Sequence, residues 1–345
     1  MIGTIIVVGI FLILAILIVL YRIHILLEVA KGNFQKRVTG SNRVNAILFL
    51  LFLIAALVLF WVFSIKEYDK YTVPVASEHG VLYEHMFWTT TILTLIVFFI
   101  TQILLFYFSF RYHYREDRKA LFYPQNDTLE KIWTIVPAVV MAILVFAGLK
   151  TWNKITSKPP QDAEVVEIMG YQFAWKIRYP GKDDKLGSYD YRLTDATNVM
   201  GVDFRDKASF DDFEPREMHI PRGKPVLFRI RSRDVIHSVY CPFFRLKMDA
   251  VPGMPTSFWF IPTRSTDDMR KQTGNPNFNY EIACAELCGR GHFSMRLIVV
   301  VDTPEEYARW KADQKPWLSS NPDYMAQVPA NLKELALVKT GLDKK

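Results

Sequence analysis

Hydrophobic and polar positions divide this chain into two unlike parts. Residues 2–20, 44–65, 87–110 and 132–149 form four nearly unbroken apolar runs. Each meets the length of about 20 residues needed to cross a hydrocarbon core of about 30 Å, so the pattern predicts four membrane helices. Trp61, Trp88, Trp133 and Trp152 stand at or near the ends of these runs, where amphipathic rings favour the interface. From about Ala163 onward the pattern shifts to short alternating or β-rich stretches broken by Pro, Gly and Asp. Strands are expected at 165–169, 225–231, 256–261, 280–284 and 295–301, the spacing of an antiparallel sandwich or barrel. In the last of these, Met295, Leu297, Val299 and Val301 share one face. Residues 181–217, rich in Asp, Lys and Gly, read as an elaborated loop. Thr303-Pro304-Glu305-Glu306 is a helix start, with a cap, a first-turn proline and acids at the positive dipole end. The tail beyond Pro316 carries no pattern that assigns it a structure.

This gives a division into residues 1–66 with two helices, 87–150 with a helical hairpin, 151–315 as a β domain, and 316–345 as a tail. The first run is expected to be retained as a helix. No Lys or Arg precedes Arg22, and no small-residue cleavage motif follows. Loop charge sets the orientation. Arg22, Lys31, Lys36, Arg37 and Arg43 lie between the first two runs, and Arg111, Arg115, Arg118, Lys119 and Lys131 between the last two. The middle loop has Lys66 and Lys70. The positive-inside rule puts both basic loops in the cytoplasm and everything after Trp152 in the periplasm of a bacterial inner membrane.

The 345 residues carry a net charge of +7 without a basic stripe, which argues against nucleic acid as a partner. The three cysteines, Cys241, Cys284 and Cys288, are too few for a disulfide framework. Cys241 reads as a small buried hydrophobe. Cys284, Cys288, His292 and Met295 place four soft or borderline ligands within twelve residues. One thiolate, two imidazoles and a weak thioether would make a mononuclear blue-copper site, with His237 as the second imidazole. Two thiolates with three residues between them could instead bridge two metals, with His237 and His292 capping one each and the Glu286 carbonyl as a weak ligand. A Cys₂His₂ zinc site and a Cys284–Cys288 disulfide also fit the spacing. His24, His79, His85 and His113 read as helix-end, loop or interface residues, and His219 as a strand lead-in.

The cysteine loop and Asp234-Val235-Ile236-His237-Ser238 resemble the copper-binding motifs of cytochrome c oxidase subunit II. Lys247-Met248-Asp249-Ala250-Val251-Pro252-Gly253 resembles that family's segment facing the catalytic subunit. Gly170-Tyr171-Gln172-Phe173-Ala174-Trp175 is similar to its aromatic region where electrons arrive, and residues 129–137 to the start of its second conserved helix. The resemblance implies four transmembrane helices followed by an all-β cupredoxin-like periplasmic domain. It implies a dinuclear CuA centre held by His237, Cys284, Glu286 (through its carbonyl), Cys288, His292 and Met295. It further implies a magnesium ion shared with subunit I through the Glu286 carboxylate, and haems and oxygen chemistry in subunit I. Glu130 is then a proton-path residue, although Asp127-Thr128-Leu129-Glu130 also fits a helix N-terminus. Three departures stand out: Phe173 replaces the usual Trp, Met254 follows Pro252-Gly253 where Arg is common, and the first two helices are additional. No Cys-x-x-Cys-His occurs, so the expected donor is a cytochrome c on a separate chain, received near Trp175 and Phe173. These features resemble the bacterial variants that associate with alternative complex III. Competing functions are a CuA subunit of a nitric oxide reductase and a membrane-tethered copper chaperone or sensor.

Overall fold

The computed structural model describes residues 2–32, 40–115 and 117–344. Lys36 and Arg37, counted in the first basic loop, lie outside the described residues. The four apolar runs form helices α1 (Ile2–Ala30), α2 (Gly40–Lys66), α3 (Glu78–Arg111) and α4 (Asp127–Ile155). All four are long and apolar enough to cross a membrane. Each extends past its apolar run, because polar residues at the ends continue the backbone ladder beyond the hydrocarbon depth. At the start of α4 the cap is Asn126, whose Oδ1 accepts from the Leu129 N–H at 3.0 Å. Glu130 therefore sits one position past the capping turn, with its side chain exposed.

The chain forms two compact units. One comprises residues 1–68 and 93–133. Within it α2 meets α3 through aromatic rings, with Trp61 stacked on Phe99 at 6.1 Å and Phe52 beside Phe106 at 5.4 Å.

The other comprises residues 69–92 and 134–345 and holds the β domain. Its strands are β1 (Glu164–Tyr171), β2 (Ala174–Arg178), β3 (Met218–Pro221), β4 (Val226–Ser232), β5 (His237–Cys241), β6 (Leu246–Ala250), β7 (Thr256–Phe260), β8 (Tyr280–Cys284) and β9 (Arg296–Asp302). They form one sheet in the order β2-β1-β4-β7 and another in the order β3-β9-β8-β5-β6. The expected purely antiparallel arrangement is not met. β1 pairs with β4 in parallel, and β3 with β9 likewise. In both pairs the chain returns through long connections instead of a tight hairpin, which frees it to re-enter in the same direction. Val166, Ile168, Phe228, Ile230, Val239, Ile282, Leu297 and Val299 fill the core between the sheets. Met295, Leu297, Val299 and Val301 do share the buried face, and Cys241 is wholly buried. His219 lies in β3 and stacks on Trp310 at 4.4 Å. Thr303 caps a helix at Pro304–Ala312 in a reciprocal box with Glu306.

Residues 181–217 form the elaborated loop expected, with two short 3-10 turns and no strand or α-helix, and it carries a core of its own. Met200, Val202, Phe204 and Phe210 form a second core with Leu318, Val328 and Ala336 of the C-terminal tail. Phe204 stacks on Trp317 at 5.4 Å, and the Lys339 ammonium pairs with Asp183 and Asp211 at 2.6 and 2.9 Å. His79, read as a loop or interface residue, lies in a helix. It is buried at the start of α3, with Nδ1 2.8 Å from the Trp259 carbonyl. Around it, Ala76 and Ser77 join the β domain. The Ala76 N–H donates to the Phe243 carbonyl and the Ser77 hydroxyl to that of Phe244, both at 2.8 Å.

Candidate metal centre

β5 opens on His237, β8 closes on Cys284, and the loop between β8 and β9 brings Cys288, His292 and Met295 back over the same end of the sheet. Strand alternation points His237 and Cys284 into the sandwich, and both are buried. Gly170 on β1 leaves room for the imidazole, since a Cβ there would stand 2.8 Å from His237 Cδ2. The loop is held the same way from above. Gly289, at φ +132°, and Gly291 lie under the Phe173 ring, where a Cβ would fall within 2.9 and 2.5 Å of it.

The candidate ligand atoms form a short chain. Cys284 Sγ is 3.9 Å from His237 Nδ1, 3.9 Å from Cys288 Sγ and 3.2 Å from the Glu286 carbonyl oxygen. Cys288 Sγ is in turn 3.7 Å from His292 Nδ1 and 3.4 Å from Met295 Sδ. The two sulfurs are unbonded, each with its own imidazole nitrogen. Burial, with the neighbouring Cys284 sulfur, pushes the Cys288 thiol up to about 11. Without a cation the Cys288 thiol therefore stays protonated at neutral pH, and a metal would have to displace that proton.

Outer contacts fix the ligands. His237 Nε2 lies 2.9 Å from Asp234 Oδ1, so a proton on Nε2 leaves Nδ1 free toward the sulfurs. Burial opposes the charge on Asp234, but the Gln172 N–H and the imidazole hold its carboxyl below the usual range. Gln172 also donates from Nε2 to the Cys288 carbonyl at 2.7 Å, and its own N–H donates to Asp234 Oδ2 at 2.8 Å. This residue thus joins the two ligand-bearing loops. Sequence reasoning named Gln172 and Asp234 within motifs but gave neither a role. The Asp-x-x-His spacing was the available signal for Asp234, whereas nothing local marks Gln172.

Trp175 and Phe173, expected together where electrons arrive, are placed differently. Trp175 is buried with its ring 6.0 Å from His237, and its Nε1 has no partner among the described residues. Phe173 is half-buried over the glycines of the cysteine loop. The Glu286 carboxylate is half-buried.

Residues 164–302 match the family profile for the cytochrome c oxidase subunit II periplasmic domain, and residues 67–151 match that for its transmembrane domain. The alternative cytochrome c oxidase subunit 2 of Bradyrhizobium diazoefficiens is 38% identical over 275 residues, covering 78% of this chain and 91% of the relative. This chain belongs to the cytochrome c oxidase subunit II family. Cytochrome c oxidase subunit 2 of Cereibacter sphaeroides is 31% identical over 230 residues, 64% of this chain and 71% of its own length. That of Thermostichus vulcanus is 28% identical over 290 residues, 68% and 76% respectively. As a subunit II, the chain is a membrane-anchored, copper-binding cupredoxin-like component of the oxidase. His237, Cys284 and Cys288, with ligand atoms all within 4.8 Å of one another, form its possible metal site. Helices α1 and α2 precede both matched segments.

Proposed function

We propose that this subunit accepts electrons from a cytochrome c at a dinuclear CuA centre and passes them to haems of subunit I, where oxygen is reduced with coupled proton pumping. One observation carries the reading: two unbonded thiols 3.9 Å apart, each facing a separate imidazole Nδ1. A mononuclear blue-copper site would leave one thiol idle, and zinc has no use for Met295 Sδ at 3.4 Å from Cys288. The thiols are buried, which also sets the site apart from the exchange-prone ligands of a chaperone.

In this reading His237, Cys284, Cys288 and His292 are the strong ligands, and Met295 and the Glu286 carbonyl the weak ones. The copper pair supplies one-electron exchange with the charge spread over both metals. The chain's own residues supply the rest. Asp234 orients the His237 ring, Gln172 ties the copper loop to the β1–β2 turn, and the packed glycines and Phe173 restrict water. A rigid, dry ligand shell favours rapid electron exchange because little has to move. The Glu286 carboxylate shares a magnesium ion with subunit I. Loop charge supports placement in the bacterial inner membrane, with residues 151–315 as a periplasmic copper domain and 1–66 as an added helix pair. The donor is a separate chain received near Phe173, within an assembly with alternative complex III for which the added helices offer lateral surface. Electron paramagnetic resonance of the oxidised, purified oxidase tests the copper reading. One unpaired electron shared by two copper nuclei is expected, and a mononuclear signal overturns it.

Glu130 is a proton-uptake residue in the same reading. Asn126 caps α4, so the exposed Glu130 carboxylate is not committed to that role. Glu130→Gln keeps the shape and removes the titrating group. Turnover is expected to fall by about tenfold or more, with helix content unchanged. Unaltered turnover and proton stoichiometry would remove the residue from the path.

A further inference from the structure

The two halves of the candidate ligand set are held in different ways. His237 lies on β5, which pairs with β6 on one side and β8 on the other, and Cys284 closes β8 opposite Val239. Cys288 and His292 ride instead on the stretch that links β8 to β9. The hydrogen bonds of residues 286–295 close mostly within that stretch, where the His292, Ser294 and Met295 N–H groups donate to the carbonyls of Gly289, Gly291 and His292. Beyond the contacts of the Cys284 thiol, one hydrogen bond among the described residues ties 286–295 to another part of the chain. It is the bond that Gln172 Nε2 donates to the Cys288 carbonyl at 2.7 Å. The Phe173 ring adds packing, so close that a Cβ on Gly289 or Gly291 would stand 2.9 or 2.5 Å from it. Gln172 is itself exposed, so water competes for its amide. A segment with so few bonds to its surroundings opens at lower free energy than the strands beside it.

We infer that the β1–β2 turn is a clasp on the cysteine loop, and that its release opens the route by which copper enters and leaves. Gln172 and Phe173 hold Cys288 and His292 against His237 and Cys284. The inference rests on the copper reading above and adds the control of metal exchange. Both sulfurs are buried, so a metal ion arriving from solvent has to pass the loop to reach them. The turn stays in place when the amide lets go, because the Gln172 backbone N–H donates separately to Asp234 Oδ2 at 2.8 Å. Gln172 is thus a positioning residue, acting on the ligand set through the Cys288 carbonyl.

The test uses the purified, copper-loaded oxidase, reduced and mixed with a copper(I) chelator. The shared-electron signal is read after reoxidation at successive times, and hydrogen exchange of residues 286–295 is followed in parallel. Gln172→Glu keeps the length of the side chain and removes the donor. Gly291→Ala acts from the other side. At φ −94° the backbone there admits alanine, so the new Cβ works on the Phe173 ring alone. In each variant copper loss should speed up by about tenfold or more, the scale of losing an outer-sphere partner. Exchange in 286–295 should rise while β5 and β8 keep wild-type protection. Gln172→Asn, with its amide one methylene short, should fall between wild type and Gln172→Glu. Wild-type rates of copper loss in both Gln172→Glu and Gly291→Ala overturn the proposal. Faster exchange spread through β5 and β8 also overturns it, since Gln172 would then hold the domain and not the loop. Absence of the shared-electron signal from wild-type oxidase before chelator is added is a separate result. It removes the copper reading and leaves the hydrogen-exchange comparison to judge the clasp.

Discussion

Replacing Cys288 with serine is expected to abolish the shared-electron copper signal and to cut oxidase turnover by well over the ~10–100-fold that loss of an outer-sphere partner costs. Cys288 Sγ is the hub of the ligand chain, within 3.9 Å of Cys284 Sγ, 3.7 Å of His292 Nδ1 and 3.4 Å of Met295 Sδ. Serine is smaller and harder, and its hydroxyl does not ionise at neutral pH, so the copper pair would lose one of its two bridging thiolates. The expected remnant is one copper per chain, bound by Cys284 and His237, with a mononuclear spectrum. Met295→Leu provides the contrast. A thioether at the edge of the set is a weak ligand, so two coppers should remain while the reduction potential shifts. Metal analysis and electron paramagnetic resonance on both variants separate the cases. Two coppers with a shared electron in Cys288→Ser would show that Cys288 is not a bridging ligand.

The proposed copper loop stood out because its candidate ligands are compressed into twelve residues and because thiols, imidazole and thioether leave few chemistries open. His237 could be paired with them because it follows a clear strand, β4. The strands that escaped are short and chemically mixed. β2 alternates Trp175 and Ile177 with Lys176 and Arg178, and β6 alternates Leu246 and Met248 with Lys247 and Asp249, but each runs for only five residues, too short for the alternation to stand out. Residues 72–80 escaped for another reason. Ala76 and Ser77 are wholly buried, but small residues leave no hydrophobic signature, and their hydrogen bonds reach across more than 160 positions (|i−j|=167 for Ser77 to Phe244). The second core was illegible from either side alone. Met200, Phe204 and Phe210 have no periodicity, and the partners that bury them, Leu318, Val328 and Ala336, lie more than a hundred residues later. Nonlocal packing of this kind leaves no trace in a window of ten or fifteen residues.

That second layer hides a charge network whose disruption should be the most damaging change outside the copper loop. Arg178 is almost wholly enclosed. It donates from Nε to Glu167 Oε2 at 2.7 Å, from Nη1 to Asp212 Oδ2 at 3.1 Å and from Nη2 to the Gly187 carbonyl at 2.9 Å. Arg231 binds the other Glu167 oxygen at 2.8 Å and lies 4.0 Å over the Tyr189 ring. Burial penalises the Glu167 charge, but the two guanidiniums overcome it and hold that carboxyl below its usual range. Arg178→Met removes one cation and leaves two desolvated carboxyls short of a partner. Breaking a buried pair in this way costs about 3–5 kcal/mol, whereas Glu167→Gln with Arg178→Met should recover part of it. Asp212 gives the network a pH dependence. Burial pushes it up to about 8 against the pull of Arg178 and the Gly187 N–H, and its Oδ1 has no partner among the described residues. A carboxyl whose folded value lies above its unfolded one binds its proton more tightly in the native state. Its contribution is complete below about pH 4 and is lost as pH rises toward about 8. In Arg178→Met the lowering influence of the guanidinium is gone, so the loss should continue to higher pH. Hydrogen exchange of the β1 and β2 amides in the intact oxidase reads both effects. Faster exchange in Arg178→Met, increasing relative to wild type toward alkaline pH after correction for intrinsic rates, is the expected pattern. Wild-type protection in that variant across the same range would mean that the enclosed charges contribute nothing net to holding the two layers together.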